Sequence, residues 1–448
     1  MRDYAFLAFL LAILGMGFRR PFIFVLAYVY IDLVSPQRLT YLLLNSIPIS
    51  LIAVGLAILG WALADEKSGA RFGPRQALLA LLLGYCYVTT LNADFPVEAA
   101  EKWAWVSKSL AFAVFLPLTL RTRLRIEALL AFMVLSAASI IIVGGVKTVF
   151  SGGGYGELNL MVSSNSGIYE GSTISTVAIS IVPVILWLGK FGTIFPPDWR
   201  SKLFCAALIF ACLLIPVGTS TRTGLLCIGV LALLTLRDVK KRMTYLGLIA
   251  AAGLLAIPFL PATFTERMGT IKTYQADESA STRLAVWRWT LDYVEDRPLG
   301  GGFDAYRGNR FQYDIVKVEG QGTSSVVTRT KTVDGGRAYH SAYFELLGEQ
   351  GYPGLIIWLL INLGGLFRME VLRRRYKDAG PDAAWVAPLA SALQHGHLIY
   401  LFGSAFIAIA YQPFLYMLIG AQIGLDGWAA RQRKSQQWRP IVPRLATT

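Results

Sequence analysis

The feature that most limits what this chain can fold into is a succession of thirteen apolar blocks. They lie at approximately 4–18, 21–35, 41–64, 77–92, 103–120, 126–149, 172–189, 203–219, 223–236, 243–260, 353–372, 386–404 and 406–427. Crossing a bilayer core takes about 20 apolar residues, and backbone in hydrocarbon must satisfy its own hydrogen bonds, which a helix does within one segment. Of the 448 residues only 16% are charged, against roughly 25% in a soluble domain, and mean hydropathy is +0.51. The sequence therefore predicts an all-α polytopic membrane protein. Blocks 4–18 and 21–35 are short and divided by Arg19-Arg20, so they form two short helices or one interrupted helix, giving 12 or 13 transmembrane helices.

The net charge of +14 does not point to nucleic acid, because the basic residues crowd the short gaps between blocks. Arg121, Arg123 and Arg125 fill one gap, Arg237, Lys240, Lys241 and Arg242 another. Arg368, Arg373, Arg374, Arg375 and Lys377 form a third cluster, and Arg431, Arg433 and Lys434 a fourth. Such loops are cytoplasmic by the positive-inside rule and meet anionic lipid. With these gaps inside, segments 92–102, 150–171 and 219–222 fall outside. Cys86, Cys205, Cys212 and Cys227 all lie in apolar blocks without metal-ligand spacing, so neither a disulfide nor zinc is expected. Met1-Arg2-Asp3-Tyr4 runs into an apolar stretch without a small-residue cleavage site and reads as a retained first span. The sequence shows no internal repeat, and its one low-complexity stretch is Ser151-Gly152-Gly153-Gly154.

Residues 261–340 break the pattern and by alternation lie outside, in a periplasm. They carry eleven Lys/Arg and ten Asp/Glu, unlike a positive-inside loop, and are rich in aromatics such as Trp287, Trp289, Tyr306 and Tyr339. Long structureless loops are uncommon, and aromatic content argues against disorder. Ser281–Asp296 has helical spacing, and Asp296-Arg297-Pro298-Leu299 before Gly300-Gly301-Gly302 reads as a helix stop and turn. The organisation is a bundle over 1–260, a cap with short helices over 261–340, an interfacial helix with the last spans over 341–428, and a cytoplasmic tail over 429–448.

Three short constellations carry chemistry. In His340-Ser341-Ala342-Tyr343-Phe344-Glu345, Ser341 suits a helix N-cap, while Gly351 suits a helix end and Pro353 the first turn of the next span. His340 then stands at the water–lipid boundary, as a general base or as an interfacial histidine with a satisfied hydrogen bond. Arg222, in Ser220-Thr221-Arg222-Thr223-Gly224, sits at an outer edge, where an arginine either snorkels to the interface or binds phosphate. Arg283 and Trp287 share a helical face, with Arg288 beside them, and suit phosphate plus sugar or lipid, or else a solvated helix with a packed tryptophan. His395 and His397 are two apart, hence on different helix faces, and suit interhelical hydrogen bonding better than a metal.

Taken together, these residues resemble the O-antigen ligase family of the Wzy-C superfamily. His340-Ser341, nine residues, Gly351, two residues and Gly354 is similar to that family's histidine motif, and Arg222 with Leu226 to its arginine–x₃–leucine motif. Arg283, Trp287 and Asp296-Arg297-Pro298-Leu299-Gly300 resemble its large-loop signature, and the loop before the last three spans is its layout. More narrowly, Tyr274, Asp277, Ser279 and Arg297–Phe303 resemble the exosortase-associated O-glycosylation ligases. Ser341 departs from the pattern, since many members have asparagine there.

The resemblance implies transfer of a glycan from undecaprenyl diphosphate to an acceptor hydroxyl at the periplasmic face of a bacterial inner membrane, without metal or cofactor. The acceptor would be a lipid core, a protein or another glycan, with membrane lipids the remaining partners. Arg222 and Arg283 would neutralise the diphosphate, and His340, the one external histidine, would serve as base, with Glu345 or Glu349 favouring its charged form and Asp304 and Glu345 as alternative bases. The loop sequence has no carboxylate-rich metal cluster, which fits arginine rather than magnesium as the phosphate clamp. A polymerase of the same superfamily would use the same donor. A transporter or flippase would place ionisable residues at mid-depth, where this sequence is nearly free of charge.

Overall fold

A computed structural model describes residues 2–67, 69–150, 168–237, 241–244, 247, 251, 278–319 and 326–437. Most of the expected span 243–260, the stretch Ser151–Gly154, Tyr274, Asp277 and the end of the tail lie outside the described residues, as does the side chain of Ser279.

The described fold is an all-α membrane protein. In chain order its helices are α1 (Arg2–Gly17), α2 (Phe22–Val34), α3 (Pro36–Leu39), α4 (Ile49–Ala64), α5 (Pro74–Leu91), α6 (Pro96–Thr119) and α7 (Arg123–Phe150). There follow α8 (Gly171–Phe191), α9 (Trp199–Gly218), α10 (Arg222–Leu236), α11 (Glu278–Asp296), α12 (Ala342–Arg375), α13 (Val386–Ser404) and α14 (Pro413–Gln437). Among the described helices, α7, α8, α9 and α12 are both long and apolar enough to cross a bilayer, while α1, α2, α4 and α10 are apolar but shorter. The first two blocks are two helices: α1 ends before Arg19-Arg20, and the Asp3 carboxylate at its start accepts from the Tyr41 and Leu42 backbone N–H groups, both at 3.0 Å. Block 41–64 is helical only from Ile49, and α14 continues to Gln437, past the expected start of the tail at 429.

Local chemistry accounts for several helix starts. Pro74 and Pro96 occupy first turns, where the missing N–H is no loss. Glu170 caps α8 by accepting from the Ser172 and Thr173 backbone N–H groups, and Asp198 caps α9 by accepting from Ser201. On α12, Ile356, Leu360, Leu363 and Phe367 recur at helical spacing and are all more than half exposed, which is the arrangement of a lipid-facing stripe.

Helix α13 is the inner post, packed against α8, α10 and α12. Buried His397 joins three helices here: Gln422 Nε2 on α14 donates to Nδ1 at 3.0 Å, which leaves Nε2–H to donate to Asn362 Oδ1 on α12 at 2.8 Å. This is the interhelical hydrogen bonding expected of that histidine. On the membrane face away from the cap, Arg125 grips Asp65 through both guanidinium nitrogens at 2.6 and 2.7 Å, and Arg431 donates to the carbonyls of Leu120 and Arg121.

The cap departs from the expectation of short helices alone. It holds α11, a 3-10 turn at Ala305–Gly308, and an antiparallel hairpin of β1 (Arg310–Glu319) and β2 (Val326–Gly335), with Arg310 opposite Gly335 and Val318 opposite Val327. Asn309 closes its base, donating to the Arg337 carbonyl at 2.6 Å and accepting from the Arg337 N–H at 3.1 Å. The cap docks on the bundle through backbone. Gly301 N donates to Gly348 O at 3.0 Å, Gly302 N to Glu349 O at 2.9 Å, and Tyr352 N to Pro298 O at 3.0 Å. Carbonyls of α12 are free for this because the helix breaks at Gly351, whose φ of 61° is non-helical. Gly300, at φ 84°, would put a Cβ 2.5 Å from both Glu349 O and Gly351 N.

Gly300→Ala should therefore destabilise the protein by at least the ~1–2 kcal/mol of a left-handed non-glycine residue, with steric cost added. Gly364→Ala, where an added Cβ meets nothing within 4 Å, should be neutral or better. Thermal unfolding in detergent, followed by tryptophan fluorescence, checks the pair. Equal melting points would show that the cap does not depend on this backbone contact.

Candidate active site

His340 lies in the segment that leads from the hairpin into α12. Its backbone is left-handed, at φ 49°, a conformation costing a residue with a Cβ about 1–2 kcal/mol. Two contacts flank it. Trp287 Nε1 donates to Tyr339 O at 2.8 Å, and the Trp287 ring stacks on Phe344 at 4.9 Å between centroids and 4° between planes. The Trp287 indole thus holds the histidine segment from both sides of His340, through Tyr339 and Phe344. Ser341 is the N-cap by position, with Glu345 N donating to Ser341 O at 2.8 Å, but its hydroxyl makes no capping hydrogen bond.

The charges around His340 come from three separate parts of the chain. His340 is an exposed residue, yet the surrounding protein removes enough water to hold its pKa below the ordinary value. The Arg283 guanidinium lowers it further, Glu170 opposes, and Arg337 adds a smaller lowering influence. The imidazole is therefore neutral at neutral pH, with a ring nitrogen able to accept a proton. The carboxylate acting on it is Glu170, not the Glu345 or Glu349 expected from proximity in sequence.

Glu170 also ties Arg222 to this place. It begins α8, and a Cβ on the adjoining Gly171 would stand 3.3 Å from Thr219 and 3.6 Å from Thr221. Ser175 Oγ bonds to Thr219 and to Thr221, each at 2.9 Å. The turn carrying Arg222 is thus fixed against the first turn of α8, and Ser220 within it is left-handed at φ 50°. Helices α8, α10 and α12 all start on this face; a helix start carries a partial positive charge, which at α8 is met by the Glu170 carboxylate. The structure thus sets Arg283 and Glu170 about His340, and packs the turn that carries Arg222 against the start of α8 next to Glu170. It leaves Arg288 exposed on α11, about 140° round the helix from Arg283.

Glu345 and Asp304 belong to a second cluster that the sequence reading missed. Lys102, in the second turn of α6, lies 2.7 Å from Glu345, 2.8 Å from Glu349 and 3.7 Å from Asp304. Its ammonium also faces the rings of Phe303 and Tyr411 at 5.6 and 5.1 Å. Glu345 accepts further from Ala410 N, and Glu349 from Asp304 N, both at 3.0 Å. These carboxylates are committed to joining cap, α6 and α12 and are poor candidates for a base. A lone lysine followed by an apolar run was the sequence signal for Lys102; its acidic partners 243 and 247 residues away could not be paired with it by inspection.

Cap and bundle thus frame one candidate site, in which Arg283 and Glu170 act on His340. In comparison with known families, residues 206–359 match the O-antigen ligase family, Wzy_C, so the chain carries a domain of that superfamily. The match spans Arg222, Arg283, Trp287, Arg288, His340, Ser341 and Glu345. Residues 1–193 match a family of unknown function (DUF5935), and this part supplies Lys102 and Glu170. A search of curated proteins finds no match.

Removing the cation from a buried ion cluster leaves its acids uncompensated, so Lys102→Met should cost roughly 3–5 kcal/mol. The triple change Lys102→Met, Glu345→Gln, Glu349→Gln should recover part of that loss. Denaturant unfolding of the detergent-solubilised variants measures both. A loss below about 1 kcal/mol for Lys102→Met, the range of a surface pair, would show the cluster to be solvated.

Proposed function

We propose that the protein is a glycan ligase that transfers an oligo- or polysaccharide from undecaprenyl diphosphate to an acceptor hydroxyl at the periplasmic face of the inner membrane. The observation that carries this reading is the meeting of Arg283, Glu170 and His340 beside the Arg222 turn, within and next to the ligase-family segment. His340 takes the proton of the acceptor hydroxyl. The hydroxyl oxygen bonds to the anomeric carbon, the bond from that carbon to the diphosphate oxygen breaks, and undecaprenyl diphosphate leaves with the bonding electrons. Arg222 and Arg283, backed by the start of α10, stabilise the charge that builds on the leaving diphosphate. No divalent cation is needed for that charge balance. The acceptor is a lipid core, a protein or another glycan.

Purified protein, a lipid-linked glycan donor and a glycan acceptor supply the test. His340→Ala should abolish transfer and keep donor binding. Lysine at position 222 or 283 should lose most of the activity, since an ammonium does not reproduce a two-pronged guanidinium contact. The sign of the pH dependence follows from the charges: a base must be unprotonated, so activity falls as pH drops through the His340 pKa, which lies below 6.5. Arg283→Gln removes a lowering influence and should move that acid limb toward neutrality. Glu170→Gln removes the raising one and should move it further down. Normal turnover by His340→Ala, or an acid limb unmoved by both charge changes, would rule out this base. Reporters fused near Gly322 and after Arg375 should read external and cytoplasmic; the reverse would put the site on the wrong side for this donor.

A further inference from the structure

A cavity of about 300 Å³ opens at the membrane face opposite the cap. Two helices establish that placement. Helix α5 starts at the cavity with Pro74 and ends near Asp94, which bonds to Tyr293 and Arg297 of the cap. Helix α12 starts beside His340 and reaches the cavity at Arg368.

Arg71, Arg368, Arg431, Arg433 and Lys434 line it with Asp426. Arg368 already holds Asp426 through two bonds, at 2.6 and 3.0 Å, so that carboxylate is neutralised. Among the described residues no carboxylate pairs with Arg71, Arg433 or Lys434, and Arg431 is fixed by backbone carbonyls alone. Arg433 Nη1 is buried without a hydrogen-bond acceptor. Behind the wall, Arg75 donates through Nη2 to Gln422 at 2.8 Å, while its Nε and Nη1 atoms are buried without acceptors. A buried donor without an acceptor costs about 1–3 kcal/mol or more when charged, so this concentration of cations and unsatisfied donors describes a site shaped for an anion. The start of α5 adds its partial positive charge.

Phe72, Pro117 and Ile423 share the lining with these cations. A cavity lined by both cations and apolar side chains, at the ends of membrane helices away from the cap, matches an amphiphile better than a free ion. We infer that it binds the phosphate of an anionic phospholipid of the leaflet opposite the cap. This site is separate from the proposed catalytic one and stands whichever glycan reaction the outer face performs. The basic gaps predicted general contact with anionic lipid; the geometry points to one seat built from α5, α12 and α14.

Native mass spectrometry of the full-length protein in non-ionic detergent tests the inference, with phosphatidylglycerol, phosphatidylcholine of the same acyl chains and inorganic phosphate as probes. One phosphatidylglycerol should be retained at least about tenfold better than phosphatidylcholine, and the double variant R71Q/R433Q should lose about tenfold of that affinity. R375Q/K377Q, basic residues of the same face outside the cavity, should bind as the unmodified protein does. Should the double variant fail to fold, the single variants R71Q and K434Q, both at exposed positions, carry the test with a smaller loss each. Equal retention of the two lipids, unchanged binding by the cavity variants, or an equal loss in R375Q/K377Q would overturn the proposal. Displacement of phosphatidylglycerol by millimolar inorganic phosphate would also overturn it, in favour of a free phosphate site.

Discussion

A long loop can hold an arginine against a histidine only if it is fastened to the membrane helices at more than one point. Here the fastening is a backbone contact between Arg297–Gly302 and the break in α12, with Lys102 beside it. Breaking α12 at Gly351 frees carbonyls that Gly301 and Gly302 take up, and glycines allow the two chains to come that close. Lys102 then joins α6 to both partners through Asp304, Glu345 and Glu349. With this end fixed, α11 runs back over the bundle, and Trp287 reaches Tyr339 and Phe344 on either side of His340. Arg283, four residues before Trp287, shares that face and is carried to the histidine.

The electrostatics of the site serve two needs at once. On the proposed reading, a leaving diphosphate requires concentrated positive charge, which Arg222, Arg283 and the start of α10 would supply. Burial, with Arg283 and Arg337, lowers the pKa of the His340 imidazole, which suits a base. Glu170 moderates the effect from the start of α8, where it is itself held by the backbone N–H groups it caps. A single arrangement thus binds an anion and keeps its base neutral, and on the proposed reading this explains why the histidine stands among cations and not beside a carboxylate partner on its own helix.

Much of the fold was legible because the bilayer imposes a strict rule: apolar blocks of span length must be helices, and their ends follow the charges. As candidates, His340, Arg222 and Arg283 stand out for a related reason, since they are polar residues at the ends of apolar blocks or on a recognisable cap helix. The hairpin was not read, although Val316, Val318, Val326, Val327 and a run of threonines carry strand propensity, because the signal is short and interrupted by charge. Lys102 was hidden by distance: its meaning depends on acids that tertiary packing brings from the other end of the chain. Glu345 misled for the same reason. Five residues from His340, it suggested a local partner, yet its carboxylate turns toward α6 and Ala410.

The account stands on one placement: the donor's diphosphate between Arg222 and Arg283, within reach of His340. A cryo-electron-microscopy structure of the protein with undecaprenyl diphosphate measures it most directly. The account predicts phosphate density bonded to both guanidinium groups, with the neutral face of His340 open toward the position of the anomeric carbon. Diphosphate density seated away from both arginines, or with His340 itself as its main ligand, would contradict it.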